Sequence, residues 1–386
     1  MPISREVGLD LARNLSQLYT ELEHQLALEM ARELSRGIDD PGWTASKLKA
    51  ASRLRELADA TVRGTRNRSA ERILLVLLEA FHRGGSAALA ELGLADRSFS
   101  ARLKRLLGFR GNRLRREVAA LRDAIPGLDA INRLALTMTG QLAEMELPIL
   151  RWVDQTFSQV VASASVEVLS GTVTRRKAAQ RAWSRFLARG VTGFVDRRGR
   201  RWELASYVEM ATRTATAQAA VEGHLGRLQE VGVDLVVVSN APQECELCRP
   251  WEGKILARKG SDGPRRVRNV RTGKTETIDV EGTLREAISA GLFHPNCRHS
   301  VSAYLPGATE VPTRTADPQG DADRQQLRSL ERRIRKYKLR QNAALDPETA
   351  AQAKQKVRDL QAQVRHLVAN SSVTRQPNRE RVGNSR

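Results

Sequence analysis

Aliphatic residues recur every three or four positions through the first 150 residues of this 386-residue chain, beginning with Leu9, Leu11, Leu15, Leu18, Leu22 and Leu26. This spacing gives successive helical turns a shared apolar side, which is buried only when helix packs against helix. Aromatic residues make up just 4% of the chain, so the helices must pack through Leu, Val, Ile and Ala. The sequence therefore predicts a helical region over residues 1–165, which we interpret as a docking module.

Turn residues divide this region into separate predicted helices. A break containing Gly and Pro at 37–42 precedes a helix that starts near Trp43, and Pro126-Gly127 ends the series. A long amphipathic stretch follows from 128 to 169. Further helices are predicted in between, at 69–82, 84–92, 98–107 and 112–124.

The composition changes over residues 166–308, where glycine becomes frequent and β-type patches appear. A hairpin turning at Gly199 is predicted, followed by a helix over 204–230. Residues 233–238 have the length and β-branching of a short buried strand. The polar, basic segment 258–283 is expected to be an extended loop or a small hairpin. The predicted fold class is therefore mainly α, with a central α+β domain.

Residues 309–323, rich in Pro, Thr, Asp and Gly, are predicted to link this domain to a helical hairpin over 324–370. Asp346 is expected to cap the second arm, with Pro347 at its first helical position. An apolar stripe with three–four spacing predicts that each arm meets another helix, within the hairpin or in a partner. The stripe comprises Leu327, Leu330, Ile334, Tyr337, Ala350, Ala353, Val357, Leu360, Val364 and Leu367. The end, residues 371–386, is predicted to be disordered.

The chain is strongly basic, with 64 Lys and Arg against 44 Asp and Glu and a formal charge of +20. Such an excess favours association with nucleic acid or another polyanion. The basic residues are scattered along helices, however, and no motif for sequence-specific recognition of DNA is present.

Membrane insertion is not expected. The longest aliphatic run, residues 73–78, is far shorter than the ~20 residues that span a bilayer. The first residues lack the basic-then-apolar pattern of a secretory signal. We therefore expect the protein to start its life in the cytoplasm.

The three cysteines lie in one region together with two of the six histidines. Cys245 and Cys248 form a C-x-x-C pair directly after the predicted strand, a spacing that lets two thiolates face one ion across a tight turn. Downstream, Cys297 and His299 supply two further ligands, and His294 is an alternate or supporting group. Four N and S ligands suit a tetrahedral structural zinc, which leaves no position for an activated water. Reduced, packed cysteines or a redox pair remain alternatives.

Several motifs around this cluster resemble the minor capsid (MuF-like, head morphogenesis) proteins of tailed phages. They are the run Trp251–Ile255, the segment Leu292–Ser300 closing with Tyr304–Gly307, the segments from Gly193 to Thr214, and the basic run Glu331–Lys338. The resemblance covers residues 165–368.

This resemblance implies a protein that enters the phage head in few copies during assembly in the host cytoplasm. It also implies association with the portal and capsid proteins and a place inside the capsid near the packaged double-stranded DNA. Relatives often carry cysteine where His299 stands, and Cys and His are interchangeable as zinc ligands. No enzymatic activity is implied.

Three other functions remain open. A His-Asn-His nuclease is suggested by His294 and His299, but it needs a catalytic histidine and an open metal position. The other four histidines lie in predicted helices. An ADP-ribosyltransferase is suggested by Glu244 and Glu246 with Arg213 upstream, although these glutamates flank a predicted metal ligand. A zinc-ribbon nucleic-acid-binding protein shares the charge and the cluster but lacks interleaved aromatic residues for stacking.

Overall fold

The computed structural model describes residues 9–94, 97–121, 123–169, 173–189, 192–195, 201–295, 297–313 and 316–382. Its helices are α1 (Leu9–Ser35), α2 (Trp43–Glu91), α3 (Arg97–Leu107), α4 (Gly111–Leu121), α5 (Leu128–Ala143), α6 (Glu146–Leu169), α7 (Arg175–Arg189), α8 (Leu204–Glu230), α9 (Leu284–Ser289), α10 (Pro318–Asn342) and α11 (Pro347–Ala369). Its strands are β1 (Thr192–Val195), β2 (Arg201–Glu203), β3 (Leu235–Val238), β4 (Ile255–Ala257), β5 (Gly263–Arg268), β6 (Thr275–Val280) and β7 (Val301–Ala303). The predicted fold class, mainly α with a small α+β region, is confirmed.

The chain divides into two compact units, each assembled from three separate segments. The first unit contains Met1–Leu15, Ala70–Thr139 and Glu209–Asp321. The second contains Ser16–Ser69, Gly140–Val208 and Ala322–Arg386. The Cys/His cluster belongs entirely to the first unit.

A three-stranded antiparallel sheet with the order β4-β3-β7 forms the centre of the first unit. All four residues of β3 are buried, because β-branched side chains pack well on both faces of a central strand. Val236 pairs with Leu256 of β4 on one side and with Ala303 of β7 on the other. The predicted buried strand is therefore confirmed, and so is the helix over 204–230.

Two further strand pairs match the predicted hairpins. β5 and β6 form an antiparallel ribbon within the basic segment 258–283. β1 and β2 also pair antiparallel, with Thr192 opposite Glu203. The predicted turn residue of that second pair, Gly199, lies outside the described residues.

The helices α2 and α8 approach each other closely at two glycines of the first unit. A Cβ atom on Gly84 would lie 1.9 Å from the carbonyl oxygen of Ala220, and one on Gly223 would lie 2.0 Å from that of Phe81. These distances are far below van der Waals contact, so the two backbones touch where side chains are absent. The predicted division between helices 69–82 and 84–92 is wrong because the glycines serve this contact inside one continuous helix.

The amphipathic stretch 128–169 also differs from prediction, since it forms two helices rather than one. The break falls between α5 and α6, where Met145 is buried at the junction. Pro148 lies in the first turn of α6, where its missing N–H removes no intrahelical hydrogen bond.

In the second unit, α10 and α11 pack along the predicted apolar stripe. Their shared core contains Leu330, Ile334, Val357 and Val364. Asp346 caps α11 by accepting a hydrogen bond from the backbone N–H of Thr349 at 2.7 Å, as predicted. The stripe is therefore covered within the hairpin itself.

The sequence predicts disorder over residues 371–386. In the structure, however, the segment after α11 follows a defined path up to residue 382. Val373 joins the core of the hairpin. Glu380 is 2% exposed and forms a salt bridge with Arg375 at 2.7 Å. Glu331, likewise buried, pairs with Arg379 at 2.8 Å. Buried carboxylates with arginine partners hold this polar segment in place, and composition alone does not reveal such pairing.

We expect Glu380→Gln to destabilise the C-terminal hairpin by about 2 kcal/mol, because a buried charge-assisted pair is lost. Burial raises the pKa of Glu380, but hydrogen bonds from Arg375 and Gln361 outweigh it and lower the pKa below its ordinary value. Because the pKa of Glu380 is lower in the folded state than in the unfolded state, its ionised carboxylate stabilises the fold at pH values above the unfolded-state pKa. This stabilisation is lost as the pH falls through the folded-state pKa. Thermal unfolding at neutral and acidic pH measures both effects. Glu348→Gln, at an exposed position of α11, is the control and should change the midpoint little. Equal midpoints for the two variants would contradict the prediction.

One helix of the described residues, α2, is long and apolar enough by composition to cross a membrane. However, 56% of its apolar window is buried inside the protein. Core helices of soluble proteins pass the same test, so this is weak evidence for a membrane span.

Candidate metal centre

The first half of the cluster follows β3 through a tight turn. The backbone N–H groups of Cys248 and Arg249 both donate to the carbonyl oxygen of Cys245, at 3.2 and 3.1 Å. A short 3₁₀-helix over Arg249–Trp251 continues the turn. This backbone path places both thiols of the C-x-x-C pair on the same side.

The second half lies between α9 and β7. Thr283 and Glu286 form a capping box that fixes the start of α9. The N–H of Cys297 donates to the carbonyl of His294 at 2.8 Å. β7 then pairs directly with β3. This pairing brings together the two halves of the cluster, which are far apart in the sequence.

The structure gathers all five predicted side chains into two triads that share Cys248. One triad contains Cys245, Cys248 and His294, and the other contains Cys248, Cys297 and His299. Ligand atoms within each triad lie within 4.8 Å of one another, so each could hold a metal ion. The predicted set of Cys245, Cys248, Cys297 and His299 is thus divided between the two triads.

The distances distinguish the two histidines. Cys297 Sγ and His299 Nδ1 are 3.8 Å apart, and the Sγ atoms of Cys248 and Cys297 are 3.2 Å apart. Tetrahedral zinc with standard bond lengths separates neighbouring ligand atoms by about 3.5–3.8 Å. Cys245 Sγ and His294 Nε2, at 2.8 Å, are closer than that and form a direct hydrogen bond. The separation between Cys297 and His299 thus matches tetrahedral zinc, whereas the Cys248–Cys297 and Cys245–His294 separations are both shorter.

Each imidazole has one nitrogen engaged outside the cluster and the other directed into it. His299 Nε2 lies 2.7 Å from Oε1 of Glu252, which also accepts from the N–H of Ala241 at 3.0 Å. His294 Nδ1 lies 2.8 Å from the carbonyl oxygen of Pro295. Such outer contacts orient the histidine ligands of metal sites and fix their tautomers.

Cys248 is fully buried at the junction of the triads. Its hydrogen bond with Cys297, together with burial, raises the pKa of this thiol far above its ordinary value. Without a cation, Cys248 therefore stays protonated, whereas a thiophilic cation would stabilise the thiolate. This donor set of sulfur and imidazole nitrogen suits zinc.

Two residues with unusual backbone conformations flank the cluster. Gln243 and Phe293 have φ angles of 58° and 61°, and they are the non-glycine residues with positive φ among those the structure describes. Gln243 stands two positions before Cys245, and Phe293 directly precedes His294. Left-handed conformations of bulky side chains cost about 1–3 kcal/mol each and persist only where surrounding contacts impose them.

Glu244, next to the first ligand, supports the site from outside. Its buried carboxylate pairs with Arg249 at 2.7 Å and accepts the backbone N–H of Asp317 at 2.9 Å. Burial acts to raise the pKa of Glu244, but the hydrogen bonds from Asp317 and Arg249 lower it below the ordinary value. Glu246 is exposed instead, so the two glutamates face different surroundings rather than one shared site.

Sequence reasoning did not find the roles of Glu252 and Glu244. Glu252 lies in the run Trp251–Ile255, one of the motifs that carry the family resemblance. Its place in that motif was the only feature of the sequence that pointed to a role for Glu252. Its partner His299 is 47 positions away, and Asp317 is 73 positions from Glu244. Only the folded chain reveals these pairs.

Comparison with known proteins identifies the class to which this helical fold with its Cys/His cluster belongs. The sequence model of the family described as phage minor capsid protein 2 matches residues 9–369. The chain therefore belongs to the phage minor capsid protein 2 family, which makes it a structural protein of the phage head and a component of the virion. No curated protein and no solved structure matches the chain.

The family match confirms the resemblance found in the sequence and extends it. The motifs cover residues 165–368, whereas the match begins at residue 9. In the helical region the sequence shows only a periodic spacing of apolar residues and no motif. This region is nevertheless included in the family match.

Proposed function

We propose that this chain is a minor head protein that joins the portal in few copies while the head assembles in the host cytoplasm. Its partners are the portal and capsid proteins, and it lies inside the capsid beside the packaged double-stranded DNA. The observation that carries the proposal is the family match over residues 9–369. The formal charge of +20 supports a position beside a polyanion.

We assign the docking role to the helical region of residues 1–165. The C-terminal hairpin buries its apolar stripe internally, which leaves that stripe no surface to offer a partner. The metal centre organises the part of residues 166–308 that lies in the first unit, from Glu209 onward. The predicted linker over 309–323 is shorter in the structure, because α10 already begins at Pro318.

We further propose that Cys245, Cys248, Cys297 and His299 hold one structural zinc, with His294 as an alternate ligand. The supporting observations are the separation between Cys297 and His299, the orienting contact from Glu252 and the buried state of Cys248. Bound zinc would join the loop after β3 to the segment before β7. Its role in this proposal is to stabilise the fold rather than to catalyse a reaction.

A non-enzymatic role agrees with how the suggested catalytic groups are used. His299 shares its outer nitrogen with Glu252, and Glu244 is engaged by Arg249 and Asp317. These contacts support structural roles for the groups that a nuclease or an ADP-ribosyltransferase would need as catalysts.

Quantitative mass spectrometry of density-purified particles tests the proposal. We expect this chain to be present in particles at a few copies per portal, with portal and major capsid peptides as internal standards. Its absence from particles, with the protein free in the lysate, would contradict the head assignment. That outcome would favour the alternative of a zinc-ribbon nucleic-acid-binding protein.

A further inference from the structure

The β5–β6 ribbon has two chemically different faces. Residues alternate between partly buried and exposed along β5, and the same alternation continues through most of β6. On the inner face, Val267 and Ile278 pack against a small core containing Leu235, Ala257 and Val280. The outer face is consequently held in place by the fold while remaining open to solvent.

The outer face and tip of the ribbon carry four exposed basic residues. These are Arg266 and Arg268 on β5 and Arg271 and Lys274 in the connecting turn. Within the part of the chain that the structure describes, no carboxylate forms a salt bridge with any of the four side chains. The exposed acid of this face, Asp279, lies opposite Pro264 at the far end from the turn.

The turn that presents these charges is ordered by hydrogen bonds. Asn269 Oδ1 accepts the backbone N–H groups of Arg271 and Thr272, both at 3.0 Å. The N–H of Val270 donates to the carbonyl of Pro306 at 2.9 Å. The basic groups therefore project from a preorganised backbone, which reduces the entropy lost when they engage a ligand.

The chemistry of the outer face matches a phosphate backbone. Arg266 lies opposite Thr277 and Arg268 opposite Thr275, so guanidinium and hydroxyl donors alternate across the ribbon. Arginine, lysine and threonine are among the side chains that contact DNA phosphates. A protein partner fits less well, because the core of a protein interface is apolar and depleted of charged residues overall, whereas Val270 is the large apolar residue exposed here.

We propose that the outer face of the β5–β6 ribbon binds the phosphate backbone of double-stranded DNA without reading its sequence. This proposal rests on the proposed function, which places the protein beside packaged DNA. A two-stranded ribbon is narrow enough to lie along a DNA groove with its charged face toward the phosphates. Binding of this kind releases counterions, so its affinity falls steeply as salt increases.

The test compares two variants that each lose four positive charges. The ribbon variant combines Arg266→Gln, Arg268→Gln, Arg271→Gln and Lys274→Gln. The control variant replaces four exposed basic residues of α11 by glutamine, namely Lys354, Lys356, Arg358 and Arg365. Fluorescence anisotropy with two labelled duplexes of unrelated sequence is measured across a salt series for each full-length protein. Circular dichroism and thermal unfolding verify that both variants fold.

We expect the ribbon variant to lose at least about tenfold in affinity at low salt and to reduce the slope of log K against log salt by about 3–4. The control variant should keep nearly the wild-type slope, and the two duplexes should bind equally. Wild-type affinity in the ribbon variant, an equal loss in the control, or unequal binding of the duplexes would each overturn the proposal.

Measuring whether the ribbon variant enters particles distinguishes a failure of this proposal from a failure of the proposed function. We expect the variant to enter heads normally, because docking is assigned to another region. If the wild-type protein fails to bind DNA while the ribbon variant drops out of particles, the face contacts an acidic head protein instead, and DNA binding is overturned. Absence of the wild-type protein from particles contradicts the head assignment but leaves the DNA measurement intact.

Discussion

Replacing Cys245 and Cys248 together by serine is expected to abolish zinc binding and to unfold the core of the first unit. Cys248 belongs to that core, in contact with the β3 and β7 region and α9. Structural zinc contributes about 10–16 kcal/mol of binding energy in small zinc domains, which is comparable with the whole stability of a typical domain. The loss should therefore remove cooperative unfolding of this unit. Metal analysis by mass spectrometry and calorimetry measure the two effects.

Single histidine variants then identify the fourth ligand. We expect His299→Ala to lose zinc, and His294→Ala to retain it with a stability near that of the wild type. Glu252→Gln keeps the shape of the side chain that orients His299, and it should weaken zinc binding by about 10–100-fold. Retention of zinc in His299→Ala with loss in His294→Ala would assign the site to His294. Full stability of the double cysteine variant would show that the cluster holds no structural metal.

The second large effect is expected at the contact between α2 and α8. Gly84→Ala places a methyl group 1.9 Å from the carbonyl oxygen of Ala220, and backbone cannot move aside as a flexible side chain can. The helices must separate, which we expect to destabilise the protein by about 2–3 kcal/mol. Gly223→Ala on the facing helix should have an effect of similar size. Chemical denaturation with a stability probe in the first unit measures both.

Gly64→Ala is the control on the same helix, and because Gly64 lies in the second unit, its effect is followed with a second probe placed in that unit. A Cβ atom at this position meets no atom of the described chain within 4 Å. Alanine favours helix over glycine by about 0.5–1 kcal/mol, so this variant should be slightly more stable than the wild type. Equal stabilities for Gly84→Ala and Gly64→Ala would refute the close contact between the two helices.

These glycines illustrate why part of the fold could not be predicted from sequence. Gly84-Gly85 has the local signature of a helix break, and only the opposing Gly223 reveals a different role. The C-terminal hairpin, in contrast, could be predicted. Asp346 and Pro347 mark the start of its second helix, and the apolar stripe that joins its two arms lies within one short stretch of sequence. The helix over 204–230 was also predicted, and the length and β-branched residues of 233–238 predicted the buried strand β3.

The members of the Cys/His cluster could be predicted from the sequence, but their arrangement could not. The three Cys residues and two of the six His residues fall within residues 245–299, which was enough to predict a candidate metal site. Their division into two triads depends on the pairing of β3 with β7, which no local pattern encodes. The same holds for Glu252, whose contact with His299 joins residues on different loops.

The spacing of two sulfurs in the cluster has a consequence for how particles age. Cys248 Sγ and Cys297 Sγ lie 3.2 Å apart, and a virion leaves the reducing cytoplasm for an oxidising medium. Without a bound cation, these neighbouring thiols would then be open to oxidation by the medium, either to a disulfide, which thiols can reduce, or to irreversible sulfinic and sulfonic acids. A bound cation would shield both, so exposure to a chelator should shorten the infectious lifetime of released particles more than it harms freshly assembled heads.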